Sequence, residues 1–125
     1  MSPRLLLLDD DRSLLSLLGT YFGGLGWQVE ACAEAAEALR LADSDSPYDA
    51  VICDLHFTAA RLGEGYDIVG RARRRRPGSA VLLFTGDTGV DVRAEALRRG
   101  ADAVVCKPSP LSRLRDAKLR AMKKP

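Results

Sequence analysis

Five side chains able to do chemistry stand where apolar runs of this sequence stop. Asp9 and Asp10 follow the run at 4–8, Asp54 follows 50–53, Thr85 follows 80–84 and Lys107 follows 103–106. If the runs are neighbouring strands, three carboxylates, a hydroxyl and an ammonium share one rim. Two carboxylates ~4 Å apart repel by about 4 kcal/mol at an effective dielectric of about 20. Three of them together call for positive charge, and Lys107 supplies only one unit. A hard divalent cation suits the remainder, because carboxylate and carbonyl oxygens are its preferred ligands, and Mg²⁺ is the expected occupant. Taken singly, each residue has a plainer reading. Asp11 can cap a helix beside solvated neighbours, and Asp54 or Thr85-Gly86-Asp87 can be turns. Their occurrence together on successive strand ends is what points to a site.

The elements that must position these groups alternate. Residues 4–8, 27–32, 50–53, 80–84 and 103–106 are apolar and of strand length. Between them lie stretches of helical period. Leu14, Leu18, Tyr21, Phe22 and Leu25 mark the first, capped by Asp11. Ala35, Ala38, Leu39 and Ala42 mark the second, and Ile68, Val69 and Ala72 the third, closed by Pro77-Gly78. Val90, Ala94 and Leu97 mark the fourth; Leu111, Leu114, Ala117 and Ala121 mark the fifth. Five strands alternating with five helices predict an α/β fold, a doubly wound five-stranded parallel sheet with helices on both faces. Ligands of such sheets bind beyond the carboxyl ends of the strands, where all five candidate residues lie. No glycine-rich phosphate loop follows the first strand, which weakens a nucleotide-binding reading.

The 125 residues predict one domain over 1–125, and 46% apolar with 29% charged residues is a soluble globular composition. No apolar run approaches a membrane span, no secretory leader is read at the N-terminus, and a cytoplasmic location is expected. A net charge of +2 does not demand nucleic acid, and no direct nucleic-acid binding is expected. Two basic clusters stand out: Arg71 with Arg73 to Arg76, read as a solvated helix end favoured by the helix dipole, and Arg113, Arg115, Lys118, Arg120, Lys123 and Lys124, read as a solvated face or an output surface. Cys32, Cys53 and Cys106 match no zinc spacing; Cys53 and Cys106, inside apolar runs, read as core fillers.

The stretches Leu6-Leu7-Leu8-Asp9-Asp10-Asp11, Val51-Ile52-Cys53-Asp54-Leu55, Leu82-Leu83-Phe84-Thr85-Gly86 and Gly100-Ala101-Asp102 through Lys107-Pro108 together resemble the response-regulator receiver family of two-component signalling, over essentially the whole chain. The resemblance implies the flavodoxin-like, CheY-like strand order 2-1-3-4-5. It implies Asp54 as phosphoacceptor, with a histidine kinase or phosphotransfer protein as donor. It makes Asp10, Asp54 and the backbone carbonyl of His56 direct ligands of Mg²⁺, with Asp9 acting through metal-bound water. Thr85 and Lys107 would each bind a phosphoryl oxygen, Gly86 would leave room for the group, and the Lys107-Pro108 bond would be cis. Output would pass through helices four and five to a partner, an output domain or a second copy. Such a domain turns over no substrate beyond its own phosphorylation and dephosphorylation.

Two features depart from the family pattern. Val104 stands where relatives carry a switching aromatic, which leaves a backbone or helix-four shift, or a non-standard output. Thr58 replaces a usual proline, and the loop over residues 58–65 reads as about three residues longer than usual. His56 is the single histidine; its side chain is expected to face the site mouth and, with Asp87, to tune dephosphorylation. The alternative is a pseudo-receiver that binds a partner without phosphorylation. A phosphohydrolase with an aspartyl nucleophile would want a second acid where His56 stands.

Overall fold

The computed structural model describes residues 2–57, 63–87 and 89–122. Ten elements alternate: β1 (Arg4–Leu8), α1 (Arg12–Gly24), β2 (Gln28–Cys32), α2 (Ala35–Ala42), β3 (Ala50–Cys53), α3 (Glu64–Arg75), β4 (Ala80–Thr85), α4 (Val90–Arg99), β5 (Ala103–Cys106) and α5 (Leu111–Met122). All strand pairs are parallel and the order is β2-β1-β3-β4-β5. This is the doubly wound sheet and the order that the family resemblance implied.

Alternation along the strands splits the core in two. Leu6, Leu8, Val51, Cys53, Val81 and Leu83 face α2 and α3, meeting Ala38, Leu41, Ile68, Val69 and Ala72. Leu5, Leu7, Ala50, Ile52, Leu82 and Phe84 face the other way, toward Leu15, Leu18 and Phe22 of α1 and Leu114 and Ala117 of α5. Period-2 strands with period-3.6 partners on both faces leave a strand no polar side, which is why β1, β3 and β4 read as unbroken apolar runs.

Four expectations about side-chain placement need correction. On α4 the stripe Val90, Ala94, Leu97 faces outward: Val90 is 86% exposed, and Ala96 is the residue that is fully buried. Cys106 is exposed, because it is the last residue of edge strand β5; Cys53 is buried as expected, and Cys32 is buried as well. The arginine run is not all solvated. Arg76 is 7% exposed, its guanidinium donating to the carbonyls of Leu41, Ala42, Ser44 and Ser46 at the end of α2. Arg73 donates to the carbonyls of Gly100 and Ser79 and to Asp102. Lys118 of the second basic cluster is buried under Trp27 and Phe22. The loop before α3 also ends earlier than expected, since Glu64 and Gly65 form the first turn of that helix. Residues 58–62 of that loop, and Lys123 and Lys124, lie outside the described residues.

Candidate functional site

The sheet order alone brings the chemistry together. Leu8 of β1 pairs with Cys53 of β3, so the next residues, Asp9 and Asp54, sit side by side; β4 and β5 then add Thr85 and Lys107 along the same rim. Local bonds hold each group. Asp9 Oδ1 accepts the Asp11 N–H at 2.9 Å, and Asp11 Oδ1 caps α1 by accepting the Leu14 N–H at 3.0 Å. Asp54 Oδ1 accepts the N–H of Leu55 at 2.8 Å. Lys107 reaches across the rim, with Nζ 2.6 Å from Asp9 Oδ2 and 3.5 Å from Asp54 Oδ2. The peptide bond between Lys107 and Pro108 is cis.

Ligand-capable oxygens of Asp9, Asp10 and Asp54 all lie within 4.8 Å of one another. Asp9 and Asp54 are buried and Asp10 is exposed, so the cluster opens to solvent on one side. An all-oxygen donor set carrying three charges against one ammonium fits a hard divalent cation. The electrostatics record the same crowding. Burial lifts the Asp54 carboxyl above its ordinary range and Asp9 lifts it further, while Lys107 and the Thr85 hydroxyl pull it back. Asp10 is raised by burial and by Asp9. Burial works against the Lys107 ammonium, but its hydrogen bond to Asp9 and the charge of Asp54 outweigh that and leave its pKa above ordinary. Thr85 is 1% exposed, and its Oγ1 accepts the Asp87 N–H at 3.2 Å. The space where a Cβ on Gly86 would stand is open.

His56 faces the mouth. Its Nε2 lies 3.0 Å from Asp87 Oδ2, which bridges the loop after β3 to the loop after β4. An open cleft of about 550 Å³ beside this bridge is lined by Leu55, His56, Gly63, Tyr66 and Asp87. The sequence reading passed over Glu64, a carboxylate only 6% exposed whose Oε1 accepts the Phe57 N–H at 3.1 Å. It also passed over Gly65, where a Cβ would stand 2.3 Å from the Asp54 carbonyl oxygen. A Glu-Gly pair opening a helix after an irregular stretch is a weak signal, readable only once the helix start is known.

Comparison with known proteins agrees with this geometry. The family model described as the response regulator receiver domain matches residues 5–118. The chain belongs to the response regulator receiver domain family. Among curated relatives, transcriptional regulatory protein PrrA of Mycobacterium tuberculosis is 32% identical over 113 residues, covering 90% of this chain and 47% of that protein. Response regulator MprA of Mycobacterium ulcerans is 33% identical over 122 residues, covering 98% of this chain and 50% of that protein. This receiver domain thus spans about half the length of these relatives. Among solved structures, the non-phosphorylated receiver domain of HemR from Leptospira biflexa superposes with a TM-score of 0.83 at 26% identity, covering 98% of this chain and 96% of that one. The receiver domain is therefore a module of two-component signalling. No helix among its described residues is long and apolar enough to cross a membrane.

Proposed function

We propose that this receiver domain takes a phosphoryl group onto Asp54 in a Mg²⁺-dependent reaction and passes the change to an output surface. The observation that carries this reading is the meeting of Asp9, Asp10 and Asp54 within 4.8 Å under the reach of Lys107. A carboxylate oxygen of Asp54 attacks phosphorus of a phosphohistidine on a histidine kinase or phosphotransfer protein. The P–N bond breaks, the imidazole keeps the electron pair and takes up a proton, and an acyl phosphate remains. Charge spreads over the three equatorial oxygens as this happens. Lys107 meets one of them with its ammonium and Thr85 a second with its hydroxyl, both held in advance by the fold. Asp10, Asp54 and the His56 carbonyl, with Asp9 beside them, would hold Mg²⁺, which would supply positive charge to the phosphoryl oxygens when bound.

With the phosphoryl group in place, Lys107 can no longer serve Asp9 and Asp54 as it does in the unmodified site. Thr85, at the end of β4, carries that change into the loop that leads to α4. Val104 is 6% exposed beneath this region and offers no ring to swing, so the response runs through the backbone of that loop and a shift of α4. Output then passes through α4 and α5 to a partner, to an output domain or to a second copy. The domain turns over no substrate beyond its own acyl phosphate.

Incubation with a small phosphodonor and Mg²⁺, followed by intact mass, tests the reading. The parent is expected to gain one phosphoryl group, and Asp54→Ala none; chelating the metal should abolish the gain. A parent that never gains mass would instead match a phosphorylation-independent binding module.

A further inference from the structure

We infer that Glu64 is a positioning residue for the metal, acting by gripping the peptide unit whose carbonyl completes the ligand set. This rests on the site reading above. The His56 carbonyl and the Phe57 N–H belong to one peptide. The Lys107-Pro108 bond is the cis peptide among the described residues, so the His56–Phe57 peptide is trans. In a trans peptide the N–H and C=O lie in one plane and point in opposite directions. Fixing the N–H therefore fixes the line of the carbonyl.

Glu64 does that fixing. Its Oε1 accepts the Phe57 N–H at 3.1 Å from a position 6% exposed, at the first turn of α3. Its neighbour secures the preceding peptide, since the Gly65 N–H donates to the Leu55 carbonyl at 2.8 Å. That approach needs glycine, because a Cβ at residue 65 would stand 2.6 Å from the Leu55 Cα. The two residues opening α3 thus hold two consecutive peptides, Leu55–His56 and His56–Phe57. A carboxylate on the N–H end also polarises the peptide, placing more negative charge on the carbonyl oxygen that would ligate the cation. Groups that orient metal ligands from behind commonly govern affinity by 10- to 100-fold (order of magnitude).

The test is the Kd for Mg²⁺ alone, read from amide shifts of the intact chain during titration, beside thermal unfolding of the same samples without metal. Glu64→Ala is expected to weaken Mg²⁺ binding about 10-fold. Glu64→Met, of similar length but with no oxygen to accept, should do the same if the alanine variant folds poorly. Glu64→Gln keeps an acceptor oxygen and should return the Kd to within about 3-fold of the parent. A purely structural role would lower unfolding temperatures without sorting the three variants by their acceptor. Folded Ala or Met variants that bind Mg²⁺ like the parent overturn the inference and leave the site reading standing. A parent that binds no Mg²⁺ removes both.

Discussion

His56 has its two ring nitrogens committed to two different loops. Gly63's N–H can only donate, so Nδ1, 2.9 Å away, accepts, and the ring proton sits on Nε2 facing Asp87. The side chains of His56 and Asp87 are 31% and 50% exposed, which sets the bridge at the boundary between site and solvent. In the proposed acyl phosphate this bridge would flank the water that attacks phosphorus. His56→Ala or Asp87→Ala is therefore expected to shorten the life of the acyl phosphate several-fold, timed by loss of the phosphoryl mass after donor removal. Unchanged lifetimes would show that the bridge does not restrict water. The five rim residues were legible because a strand end is marked by the switch from apolar to polar residues. Glu64 was not legible, because its task depends on a backbone N–H seven positions away that sequence pattern does not mark.

At the scale of elements, the run Arg73-Arg74-Arg75-Arg76 separates solvated from structural cations at the end of α3. Arg73 spreads its guanidinium over the Gly100 carbonyl at 2.9 Å, the Pro77 and Ser79 carbonyls at 2.7 and 2.9 Å, and Asp102 at 2.8 Å. It ties α3 to the end of α4 and the start of β5. Gly100 adopts φ 115°, and a Cβ there would meet Arg73 Cγ at 2.6 Å, so the tie requires glycine on both counts. Arg73→Met should cost about 3 kcal/mol in urea unfolding, because Asp102 keeps its charge and loses this guanidinium. Arg74→Met, on the exposed side, should change stability by less than about 0.5 kcal/mol. Equal effects at both positions would contradict this division. Sequence reasoning placed all four arginines in solvent because periodicity reports apolar faces, whereas burial of Arg73 and Arg76 is set by carbonyl clusters from distant segments. It misjudged α4 for a related reason: the residue turned inward is the small Ala96, and the larger Val90 and Leu97 are left outside. Ala96 is the single buried residue of α4, against three or more in each other helix, in keeping with its proposed role as the element that shifts.

Across the whole molecule the fold holds one ammonium in an apolar cage. Lys118 is 1% exposed; its Nζ stands 3.9 Å from the centre of the Trp27 ring and 3.8 Å from Met122 Sδ. Burial lowers its pKa from the ordinary 10.5 to about 8. Between those values the unfolded chain holds more protons than the folded one, so stability rises with pH across that window. Cys53 and Cys32, whose thiols burial lifts above the ordinary range, work in the opposite sense across the same window. The Lys118 contribution is therefore read as the difference between parent and Lys118→Met, which should change by about 2 kcal/mol between roughly pH 7.5 and 9.5 in urea unfolding. Lys118→Met should remove the rising part of the slope and be more stable than the parent at neutral pH. Tyr48, pushed up to about 12 by burial and by Glu30, works in the opposite sense only above pH ~10, outside that range. Parent and Lys118→Met stabilities that run parallel over the window would contradict the buried, cationic Lys118. The alternation of strands and helices fixed the layer architecture from the sequence, and the family motifs supplied the strand order; neither distinguishes a lysine on the outer face of α5 from one turned onto Trp27. The central claim is that one carboxylate, Asp54, becomes the acyl phosphate. It is tested most directly by phosphorylating the chain with Mg²⁺ present, reducing with borohydride and sequencing the peptides. Homoserine at position 54 and nowhere else is the predicted result; reduction at another acid, or at none in a chain that has gained phosphoryl mass, would contradict it.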